Sequence, residues 1–120
     1  MHLLSVDNLT NEDIALYLHE AHNIKQNTHL YTEELRNYTL TNLFYESSTR
    51  TNLSFQKAMI NLGGNVLLLN LNESSMQKGE TVEDTIKTVS MYSDVIVIRS
   101  PQINFFTNIH SSVPIINAGD

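Results

Sequence analysis

Phe44-Tyr45-Glu46-Ser47-Ser48-Thr49-Arg50-Thr51 decides how this chain folds. The stretch reads as the end of a buried strand, a tight cluster of hydroxyls around one arginine, and then the start of a helix. The first turn of a helix leaves backbone N–H groups without intrahelical partners and carries the positive end of the helix dipole. A phosphate placed there accepts several hydrogen bonds at once. Ser48, Thr49 and Thr51 add hydroxyl donors, and Arg50 adds a planar fork that matches phosphate oxygens. Standing alone, a Ser-Ser-Thr run is an ordinary helix N-cap. The arginine beside it, and the segments on either side, turn the reading toward an anion site.

Working outward, the chain alternates strands and helices. A strand is expected near Leu40 to Tyr45 and a helix from about Thr49 to Leu62, with Phe55, Ala58, Met59 and Leu62 on one face. Gly63-Gly64 stops that helix, since glycine tolerates the left-handed C-terminal conformation. Val66-Leu67-Leu68-Leu69 reads as a second strand, apolar on both faces, followed by a polar loop from Asn70 to Glu80. Thr81 caps a further helix, with Asp84 three residues on and Val82, Ile86 and Val89 facing inward. Val95-Ile96-Val97-Ile98 is a third strand, residues 102–111 are expected to hold a short helix, and Val113 to Asn117 form a fourth strand. Upstream, Thr10 caps a helix in which Ile14, Tyr17, Leu18 and Ala21 follow helical spacing, fading near Gln26 to Thr28. A short helix is expected around Thr32 to Arg36.

This order predicts an α/β fold, a three-layer αβα sandwich with a central four-stranded parallel sheet and helices on both faces. Crossovers should be right-handed. In such sheets ligands bind beyond the carboxyl ends of the strands. Ser48 to Thr51 follow the first strand, Ser74, Ser75 and Lys78 the second, Arg99 the third, and Asn117 to Asp120 the fourth. The candidate polar residues therefore gather at one edge.

Bulk composition narrows the function. The chain has 120 residues, 41% hydrophobic and 17% charged, enough for one domain with a core. A net charge of −6 excludes a general nucleic-acid or anionic-membrane surface. Three of the seven Lys and Arg residues, Arg50, Lys78 and Arg99, fall in the candidate site loops, which suits local anion binding. With no cysteine there is no disulfide framework and no thiolate chemistry, and a reducing, cytoplasmic setting is expected. No apolar run approaches membrane-spanning length, and no signal peptide is expected. His19 and His22 lie one turn apart with no carboxylate or Cys at ligand spacing, so they read as a solvated helix face and no metal is expected. Gly63-Gly64 follows a helix rather than a strand, so it is not a dinucleotide loop. Taken singly, the Glu73–Thr81 loop could be a solvated crossover. Arg99 could likewise be a surface residue at a strand end.

Together these segments carry a family resemblance. Phe44 to Thr51, followed by Leu53-Ser54-Phe55, resembles the carbamoyl-phosphate motif of the carbamoyltransferases. Ser74-Ser75-Met76-Gln77-Lys78-Gly79-Glu80-Thr81 is similar to the phosphate loop of the aspartate carbamoyltransferase family, whereas ornithine carbamoyltransferases typically have no Lys-Gly-Glu there. Arg99-Ser100-Pro101 and Asn117-Ala118-Gly119-Asp120 match two further family segments. The resemblance covers nearly the whole chain.

The resemblance implies roles residue by residue. Ser48, Thr49, Arg50 and Thr51 would hold the phosphate of carbamoyl phosphate, and Arg50 would stabilise the leaving phosphate. Thr51 and Arg99 would polarise the carbamoyl oxygen. Lys78 and a serine, Ser74 by its spacing with Ser75 left open, would reach into a neighbouring subunit's site, and Lys78 would also serve aspartate. Glu46 would help tie this domain to a second one. The implied partners are carbamoyl phosphate and L-aspartate, in a homotrimer with the site shared between subunits, open to regulatory chains. No cofactor, metal, nucleic acid or membrane is implied. The implied reaction yields N-carbamoyl-L-aspartate and phosphate, an early step of pyrimidine synthesis.

Asn52 and Gln56 depart from the arginine and glutamate the family often has, and both read as peripheral changes. Residues 1–120 correspond to the carbamoyl-phosphate-binding domain alone, without the family's His-Pro-Thr-Gln segment or its aspartate-binding domain. This piece by itself is therefore expected to be inactive. Two alternatives remain at this point, an ornithine-type transferase and a truncated, non-catalytic phosphate-binding or assembly module.

Overall fold

Residues 2–71 and 81–119 are described by the structure, a computed structural model. The strand before the hydroxyl cluster, β1 (Thr39–Phe44), is buried at every position but its first. It can be, because it runs through the interior of the sheet. β2 (Asn65–Asn70) pairs with it on one side and β3 (Val95–Arg99) on the other, and β4 (Ile115–Asn117) lies beyond β3. All three pairings are parallel, in the order β2-β1-β3-β4. The N-terminal segment adds to the β4 edge, where the Leu3 N–H donates to the Ile115 carbonyl at 2.8 Å and the Asn117 N–H donates back to Leu3 at 2.8 Å.

Alternate side chains of β1 sort into two cores, as a twofold strand period requires. Leu40 and Phe44 join Val97 and the Met59 of α2 (Thr49–Asn61), with Phe55 and Val66 packed against them. Leu43 joins Ile96, Ile98 and Ile115 beneath Ile86 and Val89 of a helix over Val82–Ser90. Ile86 has no exposed surface, and burying such a side chain contributes about 1.5–3 kcal/mol. The helices over Thr49–Asn61 and Val82–Ser90 thus cover opposite faces, and the expected three-layer α/β sandwich with a four-stranded parallel sheet is what forms.

Gly63 ends the helix at φ +86, where a Cβ would come within 2.2 Å of the Thr32 carbonyl oxygen. Only glycine fits that close approach.

Several local expectations change. β2 is an edge strand, so Leu67 and Leu68 are 45% and 51% exposed instead of buried on both faces. The first helix, α1 (Asn11–Gln26), forms with a full Thr10–Asp13 capping box, yet it buries no residue, and Tyr17, Leu18 and Ala21 are exposed. Its apolar side borders an open groove of about 720 Å³ lined by Leu3, Leu4, Val6, Ile14, Tyr17 and Leu18. Ala58 is likewise exposed. Residues 32–36 and 102–108 form turns instead of helices. Asn104 (φ 60) adopts left-handed backbone within the second of these, which a right-handed helix cannot contain. β4 starts only after Pro114, which has no N–H to give a ladder.

Candidate functional site

The site grows from the junction of β1 and α2. Glu46 to Thr49 form one wall of a cleft of about 370 Å³, Asn52 continues it one turn along α2, and Asn70 and Leu71 beyond β2 close the other side. Three helices can be compared at their N-termini. Thr10 caps α1 by accepting from the Asp13 N–H, and Thr81 caps the Val82–Ser90 helix, α3, by accepting from the Asp84 N–H, each at 3.0 Å. Both first turns also carry two acids. At α2 the N-cap position is Ser48 (φ −156, ψ 85), whose hydroxyl makes no cap hydrogen bond, and the first turn has no acid. The positive end of that helix is neither capped nor neutralised by its own side chains.

Arg50 follows directly, exposed and in no ion pair among the described residues. Thr49 is exposed, while Ser48 and Thr51 are half-buried. First-turn N–H groups, hydroxyls and a guanidinium in no ion pair among the described residues, gathered on one loop, suit a multiply charged oxyanion.

Arg99 ends β3 beside this loop. Its Nε donates to Glu46 Oε1 at 2.9 Å and its Nη1 to the Ala118 carbonyl at 3.0 Å. The backbone supports the same junction, since the Tyr45 N–H donates to the Arg99 carbonyl and the Ala118 N–H to that of Ile98, each at 2.8 Å. Gly119 passes directly over the guanidinium. At φ +131, a Cβ there would sit 2.6 Å from Arg99 Nη1. Below, the Tyr45 ring packs against Phe105 with centroids 5.2 Å apart, which holds the turn after β3 under the loop.

The structure therefore brings Ser48, Thr49, Arg50, Thr51 and Arg99 to one sheet edge, with Arg99 engaged by Glu46. The expected loop ligands Ser74, Ser75 and Lys78 lie outside the described residues. Asn52, by sequence a peripheral departure from the family residue, lines the cleft. The signal was present in the spacing, because Asn52 stands four residues after Ser48 and so shares its helix face. Among the described residues no group of three or more His, Cys, Asp or Glu side chains could hold a metal, and no helix is long and apolar enough to cross a membrane.

Comparison with known proteins agrees with this geometry. The family model for the aspartate/ornithine carbamoyltransferase carbamoyl-P binding domain matches residues 1–120. The aspartate carbamoyltransferase catalytic subunit of Clostridium perfringens is 43% identical over 122 residues, covering 99% of this chain and 40% of that protein. The catalytic subunit of M. jannaschii aspartate transcarbamoylase superposes with a TM-score of 0.90 at 41% identity, covering 98% of this chain and 41% of that one. Aspartate transcarbamoylase from Trypanosoma cruzi, in complex with carbamoyl phosphate, superposes with a TM-score of 0.87 at 35% identity, covering 99% and 40%. The chain spans about 40% of the length of the curated relatives it matches. From its parallel sheet to the hydroxyl-and-arginine loop at the head of α2, this chain belongs to the aspartate/ornithine carbamoyltransferase family.

Proposed function

We propose that this chain supplies the carbamoyl-phosphate half of an aspartate carbamoyltransferase active site. The observation that carries the reading is the acid-free N-terminus of α2, without a side-chain cap, with Arg50 in no ion pair among the described residues, in a chain that matches the carbamoyl-P binding domain throughout. Ser48, Thr49, Arg50 and Thr51 hold the phosphate. Thr51 and Arg99 polarise the carbamoyl oxygen. Lys78 and Ser74 come from a neighbouring subunit of a homotrimer, and Lys78 also meets aspartate. The α-amine nitrogen of L-aspartate attacks the carbamoyl carbon, the bond from that carbon to the phosphate oxygen breaks, and phosphate leaves with the electron pair and takes up the proton that the amine gives up.

The chain's own contribution is orientation of the anion and stabilisation of charge on the departing phosphate by Arg50 and the helix N–H groups. Residues 1–120 act as one domain, and an aspartate-binding domain completes the site. The 120-residue chain alone is inactive.

Turnover of carbamoyl phosphate tests the reading. The protein that carries this chain should turn over faster with aspartate than with ornithine, and residues 1–120 alone should show no turnover. Faster transfer to ornithine would move the assignment to the other branch. Robust turnover by residues 1–120 would contradict the divided site.

A further inference from the structure

Asn42 sits in the middle of β1 with 1% of its surface exposed. Its neighbours in register are Leu68 and Val97. Its Oδ1 is buried and has no hydrogen-bond partner among the described residues. Burying an amide oxygen in this way costs free energy that an aliphatic side chain would not. The other end of the amide is engaged. Nδ2 donates to the Asn52 carbonyl at 3.2 Å and to Asn52 Oδ1 at 3.0 Å. A backbone carbonyl can only accept, so the orientation of the Asn42 amide is fixed by its partner.

Asn52 is the residue that closes the first turn of α2, since its N–H donates to the Ser48 carbonyl at 2.9 Å. Gln56, one turn further on, donates to the same Asn52 Oδ1 at 2.7 Å. Three neutral amides thus tie the turn bearing Ser48, Thr49, Arg50 and Thr51 to the rigid strand beneath it. The tie spans the loop whose two ends must hold still for an anion to meet all its donors together. Asn52 also lines the cleft.

We propose that Asn42 is a positioning residue for the anion site, acting through Asn52, and that it is held in the core for that purpose and not for stability. The proposal rests on the carbamoyl-phosphate reading above. It separates fold from function, because an aliphatic residue of similar size at position 42 removes the buried oxygen and the tie together.

The test compares wild type with Asn42→Leu in the full protein, using inorganic phosphate as the calorimetric probe and steady-state kinetics with carbamoyl phosphate. Asn42→Leu should melt at or above the wild-type temperature. Its phosphate Kd and its KM for carbamoyl phosphate should each rise roughly five- to tenfold, the worth of about one hydrogen bond, while the KM for the amine substrate stays put. A folded Asn42→Leu protein with wild-type phosphate affinity overturns the proposal, as does a fall in melting temperature with affinity unchanged. If Asn42→Leu does not fold, Asn42→Val decides, because it suits a buried strand and removes the Nδ2 donor with both of its bonds to Asn52. Unchanged phosphate affinity in folded Asn42→Val then overturns the proposal. Failure of the wild type itself to bind phosphate would instead overturn the underlying carbamoyl-phosphate reading.

Discussion

Replacing Gly119 by alanine adds one methyl group at the point where the fourth loop crosses Arg99. Two costs arise. Gly119 has φ +131, a conformation that costs an L-residue about 1–3 kcal/mol. The new Cβ would also lie 2.6 Å from Arg99 Nη1, so the guanidinium must move. Moving it weakens the bonds to Ala118 and Glu46 at 3.0 and 2.9 Å. Both charged side chains are about a third exposed, at 29% and 33%. The loss is then about 1 kcal/mol, below the full value of a charge-assisted bond, because solvent screens the pair. The sum is about 2–4 kcal/mol, which lowers Tm by on the order of 10 °C in a protein of a few hundred residues. If Arg99 polarises the carbamoyl oxygen, its displacement should also lower kcat roughly ten- to hundredfold, as misplacement by about 1 Å does elsewhere. Thermal unfolding and steady-state kinetics on Gly119→Ala read both effects. An unchanged Tm would refute the steric argument. A lowered Tm with wild-type kcat would refute the role given to Arg99.

Gly63→Ala should destabilise by at least about 2 kcal/mol, because its Cβ would meet a backbone carbonyl at 2.2 Å that cannot swing away. Chemical denaturation would measure this, and phosphate affinity in the folded fraction should be unaffected. Arg50→Ala should weaken phosphate binding roughly ten- to hundredfold, the range for a charge-assisted fork. Its Tm should change little, since Arg50 is exposed and makes no ion pair among the described residues.

The strand β3 was legible in sequence because it is buried from both sides and carries the unbroken apolar run Val95 to Ile98, whereas β1 is half polar and was legible from Leu40, Leu43 and Phe44 leading into the hydroxyl cluster. Helix caps were legible at Thr10 and Thr81, where a hydroxyl is followed three residues on by an acid. Periodicity revealed that α1 has an apolar side, yet it carries no information about what packs there, and Tyr17 and Leu18 border an open groove. Leu67 and Leu68 misled for a related reason. An apolar run fixes strand identity but not position in the sheet, and β2 lies at the edge.

At the site, the hydroxyl-and-arginine loop could be read from its residue types alone. The tie beneath it could not, because Asn42 and Asn52 stand ten residues apart and meet only when α2 folds back over β1. The pairing of Arg99 with Glu46 spans 53 residues and depends on β1 and β3 being sheet neighbours.

Calorimetric titration of inorganic phosphate into wild-type protein and Arg50→Ala tests the central claim most directly. The account requires saturable binding at one site per chain in wild type, weakened at least tenfold by the loss of this charge-assisted fork. Equal affinity in the two proteins, or no binding by wild type, would contradict the assignment of the β1–α2 loop as the carbamoyl-phosphate site.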